Sequence, residues 1–558
     1  MNLTSVTRLL AGLVAVVATN ALAEVPRFES VRHGWVSTEG VLLDRSGQAI
    51  HELRVVDRGR RLHWVGIESV SPAAVDAIVR AEDKRFFTHS GVDWLALSDA
   101  ALDTLLFSRP RGASTISMQL AAMLDQELMP RANHRSLEQK WDQMKAAQAL
   151  EAAWTKRQIL EAYLNLSTFR GELQGIAAAA RGLFDKDASG LNQSEALLLA
   201  ALLRGPNAGA EQAARRACGI ATTMEMAAAC ARIAALSSEV LARAPRIEPA
   251  ADFAPHVARA LLSSERKRVR STLDGQLQRY ALEALQRQMA DLSGQSVADG
   301  AILVADNRSG EVLAYVGNAG NSASAFYVDG VRAARQAGST LKPFLYAMAI
   351  ERRLITAASL VDDSPVNLVT PSGLYVPQNY DRDFKGLTSV RTALSSSLNV
   401  PAVRTLMLVG ADAFAERLRD LGFAEVTEDG DYYGFSLALG SAEVTLWQLV
   451  NAYRTLANGG RWSPLVVEKA KARSAQAMDT AASWIVADIL SDKLARSPTF
   501  GLDNALAARR WAPVKTGTSK DMRDNWCIGF TNRYTVGVWI GNFDGSPMHD
   551  ITGVSGAA

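Results

Sequence analysis

The run Arg335-Gln336-Ala337-Gly338-Ser339-Thr340-Leu341-Lys342-Pro343-Phe344 decides the reading of this chain, because it sets a serine and a lysine three residues apart. At that spacing the two side chains share one helix face, so an amine can lie against the hydroxyl it must deprotonate. Further along stand Ser397-Leu398-Asn399 and Lys515-Thr516-Gly517-Thr518. Taken singly, Ser339 also suits a helix N-cap, Asn399 before Val400-Pro401 suits a turn, and Lys515 suits a solvated charge on an edge strand. In the order S-x-x-K, S-x-N, K-T-G they point together to acyl transfer through a serine. Lys342 can take the Ser339 proton only as a neutral amine, which burial and a neighbouring cation such as Lys515 favour. Ser397 can relay that proton to a leaving amine, and Asn399 can orient Lys342 and a substrate backbone. Gly517 lets its strand come close to substrate, while Lys515, Thr516 and Thr518 suit a free carboxylate.

Around these motifs the chain reads as α+β from 271 to 558. A helix is expected from Asp274, a plausible N-cap, to Leu292. Two strands joined by a turn at Asn307 to Gly310 follow, and W-C-I-G-F-T-N-R-Y-T-V-G-V-W-I-G-N, from Trp526, reads as a second hairpin. Upstream, from Ser71 to Leu203, apolar residues recur at three and four, which predicts an all-α domain. We place that domain at 40–215, opened by a strand-rich stretch near Gly40 to Val65. An Ala- and Pro-rich connector is expected at 216–270.

With 558 residues the chain exceeds what one core serves. A net charge of +2 with interspersed signs supplies no basic stripe and argues against a nucleic-acid partner. Residues 1–23 carry Arg8, a short apolar run and Ala21-Leu22-Ala23, the pattern of a secretory signal peptide or a short signal-anchor. One straight helix would hold Cys218 and Cys230 about 18 Å apart, beyond the ~7 Å limit for bridging, so buried thiols are expected rather than a disulfide. The scattered histidines offer no spacing for a protein-built metal site.

The helical domain has its own polar constellation. E-D-K-R-F-F-T-H-S-G-V-D begins at Glu82, R-G-A-S-T-I-S-M-Q-L at Arg111, and K-R-Q-I-L-E-A-Y-L-N at Lys156. Glu82 and Asp83 beside an aromatic pair and His89 suggest a desolvated acid able to act as a base, although they could equally cap a helix. Gly112, Ser114, Thr115 and Gln119 could cradle an oxygen-rich ligand or form a capping turn. Asn165 could cap its helix.

Together these strings resemble a class A penicillin-binding protein, from about Val41 to the last residue. The first three resemble motifs of that family's glycosyltransferase family 51 domain. The methionine in S-T-I-S-M-Q, with R-Q-A-G-S-T-L-K-P-F, P-Q-N-Y-D-R-D-F and K-T-G-T-S-K-D-M-R-D-N-W, resembles its penicillin-binding protein 1C subgroup. The resemblance implies a lysozyme-like all-α glycosyltransferase domain and an α+β transpeptidase domain of the penicillin-binding, serine β-lactamase-like fold. It implies an exported enzyme on the periplasmic face of the inner membrane. Such an enzyme polymerises lipid II and cross-links the stem peptides of the glycan strand. β-Lactams are then its covalent inhibitors.

By the same resemblance Glu82 is the general base, and Ser114, Thr115 and Gln119 lie in the donor site. Lys140 meets the leaving pyrophosphate, and Asp83, His89, Gln143 and Asn165 count among the substrate-facing residues. Ser339 is the acylated nucleophile, with Lys342, Ser397, Asn399 and Lys515 as its catalytic partners. The backbone N–H groups of Ser339 and Thr518 form the oxyanion hole. No cofactor is implied, though a divalent cation such as Mg2+ helps some members.

Four departures stand out. Gln139, Lys140 and Gln143 fall where many members have R-K-x-x-E, and an amide is a poor ligand for that cation. Ala337 replaces a usual proline, and Asp185 a common glycine. The sequence stops at Ala558 where relatives continue into a closing helix and, in the 1C subgroup, a β-rich domain. Lack of that helix is expected to expose one face of the sheet. Two other readings stay open: a D,D-carboxypeptidase or β-lactamase-like hydrolase, and a weakly active β-lactam-binding scaffold or sensor.

Overall fold

The computed structural model describes residues 25–98, 114–128, 137–370, 373–471, 473–508 and 510–558. The signal-like stretch at 1–23 and Gly112 lie outside them. The chain divides into two compact units, one of residues 1–40 and 54–249, the other of 41–53 and 250–558.

The first unit is helical. In α1 (Pro72–Glu82), Ala74, Ala77, Ile78 and Ala81 recur at helical spacing and are buried. They share a core with α6 (Gln193–Leu203), whose residues from Ala196 to Leu202 are all fully buried, so α6 is the central helix. Its start is fixed by a capping box, Asn192 accepting from Glu195 N while Glu195 returns to Asn192 N. Between them lie α2 (Ile116–Leu124), α3 (Leu137–Ala153), α4 (Lys156–Leu166) and α5 (Ile176–Phe184). The last ends on Asp185 at φ 52°, the left-handed position that explains why glycine suits this place.

The expected connector at 216–270 is mostly not one. Helices α7 (Ala210–Thr223) and α8 (Cys230–Leu241) pack Ala213, Ala217, Ala221, Ile233 and Val240 into the core of the first unit. The chain reverses between them, with Glu225 at φ 60°, and this bend brings Cys218 and Cys230 to a Cα separation of 5.0 Å, where they form a disulfide. The expectation of free thiols failed because it assumed one straight helix. Among the described residues, no helix is long and apolar enough to cross a membrane.

The second unit is built on an antiparallel five-stranded sheet. Its strands are β4 (Asp299–Asp306), β5 (Val312–Val316), β8 (Val514–Thr518), β9 (Asp524–Phe530) and β10 (Tyr534–Gly541), in the order β8-β9-β10-β4-β5. Both expected hairpins are therefore present. So is the expected helix, α9 (Gly275–Asp291), with Asp274 accepting from Gln276 N and Leu277 N. Ahead of these strands, β1 (Glu39–Leu43) and β2 (Ala49–Arg54) form a small sheet with β3 (Arg268–Arg270), which pairs in parallel with β1.

One face of the large sheet receives Ala281, Leu285 and Met289 of α9 together with Met548, Ile551 and Ala557. The last residues thus cover apolar surface on this face of the sheet. The sheet also packs against α13 (Leu446–Ala457), reached after α10 (Lys342–Glu351), α11 (Val390–Ser395) and α12 (Asn399–Val409). Close approach requires Gly537, where a Cβ would lie 2.5 Å from Val450 Cγ2. The ladder of β6 (Leu360–Asp363) with β7 (Gly386–Ser389), and helices α14 (Thr480–Ser491) and α15 (Lys493–Phe500), complete the unit.

Candidate active sites

In the second unit Ser339 lies in a 3-10 turn, Gly338–Leu341, that runs into α10. Its hydroxyl caps neither helix, which removes the N-cap reading. The turn is held from several sides. Tyr453 Oη donates to Thr340 O at 2.8 Å, Trp526 Nε1 to Gln336 O at 2.9 Å, and Gly338 N to Gly440 O at 3.1 Å. Strand β8 also presses on it: a Cβ on Gly517 would lie 2.7 Å from Thr340 Cγ2 and 2.9 Å from Ala337 O. Glycine at 517 is thus required by the turn that carries Ser339.

Lys342, one turn beyond Ser339, is wholly buried. Its Nζ donates to Ser397 O at 2.7 Å, Leu398 O at 3.1 Å and Asn399 Oδ1 at 2.7 Å. Burial holds its pKa well below the ordinary lysine range, the Lys515 ammonium adds to this, and Asp363 opposes it. Lys515 is 2% exposed, so it is no solvated edge charge. Its Nζ donates to Ser397 Oγ and to Thr516 O, both at 2.7 Å. Burial, then the Arg496 guanidinium, lower its pKa to about 7, against an opposing contribution from Cys527. Burial pushes the Cys527 thiol itself up to about 12, so it is uncharged at neutral pH.

Ser339, Ser397, Asn399, Thr516 and Thr518 all line one cavity of about 750 Å³, with Tyr375, Phe500 and Gly553 on its walls. The sequence-predicted set is therefore brought together. Thr518 is the qualified member: its hydroxyl donates to Asn525 Oδ1 and accepts from Gly553 N, each at 3.2 Å, which ties it to protein.

In the first unit Glu82 ends α1, with its side chain 7% exposed. Gln119 Nε2 donates to its Oε2 at 2.9 Å and Arg204 Nε to its Oε1 at 3.1 Å. Tyr163 Oη in turn donates to Gln119 Oε1 at 3.1 Å. The carboxylate is thus enclosed but not isolated as expected, since a cation and an amide fix both oxygens.

Several neighbours turn inward. Asp83 Oδ2 accepts from Ile116 N at 3.0 Å and lies 3.0 Å from His89 Nε2, so this pair fixes the start of α2. Thr115 caps the same helix, accepting from Met118 N and donating to Gly91 O at 2.6 Å. Asn165 accepts from Val65 N and donates to Val65 O and Glu161 O, bracing the chain before α1. Gln143 is fully buried, its Nε2 donating to Met118 O at 2.7 Å while its Oε1 has no partner. These side chains, expected to face substrate, instead hold backbone groups before α1, in α2 and in α4. Ser114 is half-buried and Lys140 is exposed on α3.

Two family models match the chain. Residues 46–225 match the Transglycosylase family, and residues 300–544 the Penicillin binding protein transpeptidase domain. The chain is similar to the class A penicillin-binding proteins. It is 35% identical over 87% of its length to penicillin-binding protein 1C of Escherichia coli (strain K12), and spans 62% of that protein. It is 28% identical to penicillin-binding protein 1B of Vibrio cholerae, over 87% of this chain and 66% of that one. The structure of penicillin-binding protein 1A from Haemophilus influenzae covers 93% of this chain and is itself covered to 90%, with TM-score 0.60 and 18% identity, a likeness of fold.

Among the described residues, the cation that helps some members of this family finds no matching donor set. Gln143 offers a buried amide held by Met118, and among the described residues no group of three His, Cys, Asp or Glu stands close enough to hold a metal. No step below runs through a cation. Sequence reasoning gave Arg204, Asp363 and Asn379 no role. Each acts at long range, Arg204 on Glu82 across 122 positions, and local spacing carries no trace of such pairs.

Proposed function

We propose that the chain is a bifunctional peptidoglycan synthase on the outer face of the inner membrane, polymerising lipid II and cross-linking the product. In the first unit Glu82 takes the proton from an acceptor sugar hydroxyl, whose oxygen attacks the donor's anomeric carbon in line. The undecaprenyl pyrophosphate leaves with inversion, so no glycosyl-enzyme is required. Gln119 and Arg204 aim the Glu82 carboxylate. Ser114 and the exposed Lys140 are the remaining candidates for pyrophosphate contact.

In the second unit Ser339 Oγ attacks the penultimate D-alanine carbonyl and its proton passes to neutral Lys342. The C–N bond breaks, the departing D-alanine amine takes a proton relayed through Ser397, and an acyl-Ser339 ester remains. An amine of a neighbouring stem resolves the ester and releases Ser339. Lys515 and Thr516 hold the donor's terminal carboxylate. β-Lactams acylate the same serine.

The observation that supports this most is the gathering of Ser339, Ser397, Asn399 and Thr516 around one cavity, with the Lys342 and Lys515 amines bonded to the Ser397 turn. A lipid II assay with muramidase digestion of the product tests it. The intact chain is expected to yield cross-linked glycan, Glu82→Gln no polymer, and Ser339→Ala polymer without cross-links. Polymer from Glu82→Gln would contradict the first half, and cross-links from Ser339→Ala the second.

A further inference from the structure

All three acceptors of the Lys342 amine belong to one short turn, Ser397 to Asn399, which its own backbone ties on one side only, Ser397 N donating to Leu394 O at 3.1 Å and Leu398 N to Ala393 O at 2.9 Å at the end of α11. Ser397 sits at φ 59°, the left-handed region that a non-glycine residue occupies only when its surroundings impose it. Helix α12 begins directly after it, and its N-cap is Leu398, which has no side-chain acceptor for the first N–H groups. The missing cap comes from a separate loop. Asn379 Oδ1 accepts from Asn399 N at 2.8 Å and Val400 N at 3.5 Å, while the Asn399 side chain donates back to Gln378 O at 2.8 Å.

Asn379 is anchored in its turn. Its Nδ2 lies 2.9 and 2.8 Å from the two oxygens of Asp363 and 2.9 Å from Asp383 O. Asp363 is fully buried at the end of β6, where its Oδ2 also accepts from Lys385 N at 2.9 Å. An unbroken chain of bonds thus runs from a carboxylate at the end of the β6–β7 ladder, through Asn379, to the turn that holds the Lys342 amine.

We propose that Asn379 and Asp363 are positioning residues for acylation: they hold the Ser397 to Asn399 turn in its left-handed form, so that its oxygens place Lys342 beside Ser339. This rests on the acyl-serine reading above. Neither residue touches the acyl group in this role. The titratable groups acting on Lys342 are Lys515 and Asp363, and those acting on Lys515 are Arg496 and Cys527. Asp363 is therefore the one negative charge among the groups acting on Lys342, and removing it lets the amine shed its proton at lower pH.

The test uses the full chain, benzylpenicillin as the probe, and the acylation rate constant followed against pH. Asp363→Asn, which keeps an acceptor for Lys385 N, is expected to move the ascending limb to lower pH by about half a unit or more. Asn379→Ala is expected to slow acylation about 10- to 100-fold and to speed amide exchange at Asn399 and Val400. Exchange is read without penicillin, so it stands even if Ser339 is never labelled. An unlabelled wild-type chain with faster exchange in Asn379→Ala would overturn the acyl-serine reading and leave the anchoring intact. Folded variants with the wild-type pH profile, rate and exchange would overturn the proposal. If Asp363→Asn fails to fold, Asn379→Ala alone decides.

Discussion

In the proposed acylation Lys515 must carry a charge to hold a carboxylate, while Lys342 must lose one to take the Ser339 proton. Both amines are buried, and Lys515 is held at about 7 while Lys342 is held well below its ordinary value. Acylation by penicillin should therefore rise with pH as Lys342 empties, then decline above about pH 7 as Lys515 follows. Lys515→Arg keeps its charge throughout and should remove the descending limb, even at a lower maximum. Stability should carry the same signature. The folded pKa of about 7 lies below the ordinary lysine value of 10.5, so between these values the unfolded chain holds a proton that the folded chain has released. Stability contributed by this site then rises with pH through that window, whereas below it the full cost of the buried charge remains. Thermal unfolding at neutral and mildly alkaline pH should show that rise in the wild type and a shallower one in Lys515→Met, where Lys342 alone still contributes it. At this scale the trio of motifs was legible because each is a local string. Asp363, Asn379 and Arg204 were not, since each meets its partner only after the chain has folded.

Helix and strand ends explain the rest of both sites. Gly517 allows β8 to lie on the Ser339 turn, so Gly517→Val should push the two apart and slow penicillin acylation by about 10-fold or more, read from labelling time courses. Asn165 braces Val65 through both polar atoms, and Asn165→Ala should cost about 2–3 kcal/mol of first-unit stability in denaturant titrations, because buried backbone groups lose their partners. The expected strands at 299–316 and 524–541 and the helix from Asp274 were readable from alternation and a cap. The reversal between α7 and α8 was not. Alanine-rich text there gives the right helices but hides the turn at Glu225 that pairs Cys218 with Cys230. Cys218→Ser together with Cys230→Ser should lower the stability of that unit by about 3 kcal/mol, as expected for closing so short a loop.

At the scale of the molecule, two units with separate cores carry the two sites to which we assign unlike reactions, one around the carboxylate at 82 and one around the hydroxyl at 339. The family likeness was readable from six short strings, while the true division of the chain was not. Residues 41–53 interrupt the first unit in sequence yet belong to the second, where Val41 to Leu43 pair with β3, and an interruption of that kind leaves no mark in composition. The most direct measurement is intact mass spectrometry of the folded chain after incubation with benzylpenicillin. The account predicts a single penicilloyl adduct on the wild type and on Glu82→Gln, and none on Ser339→Ala. An unmodified wild-type chain, or an adduct that persists in Ser339→Ala, would contradict it.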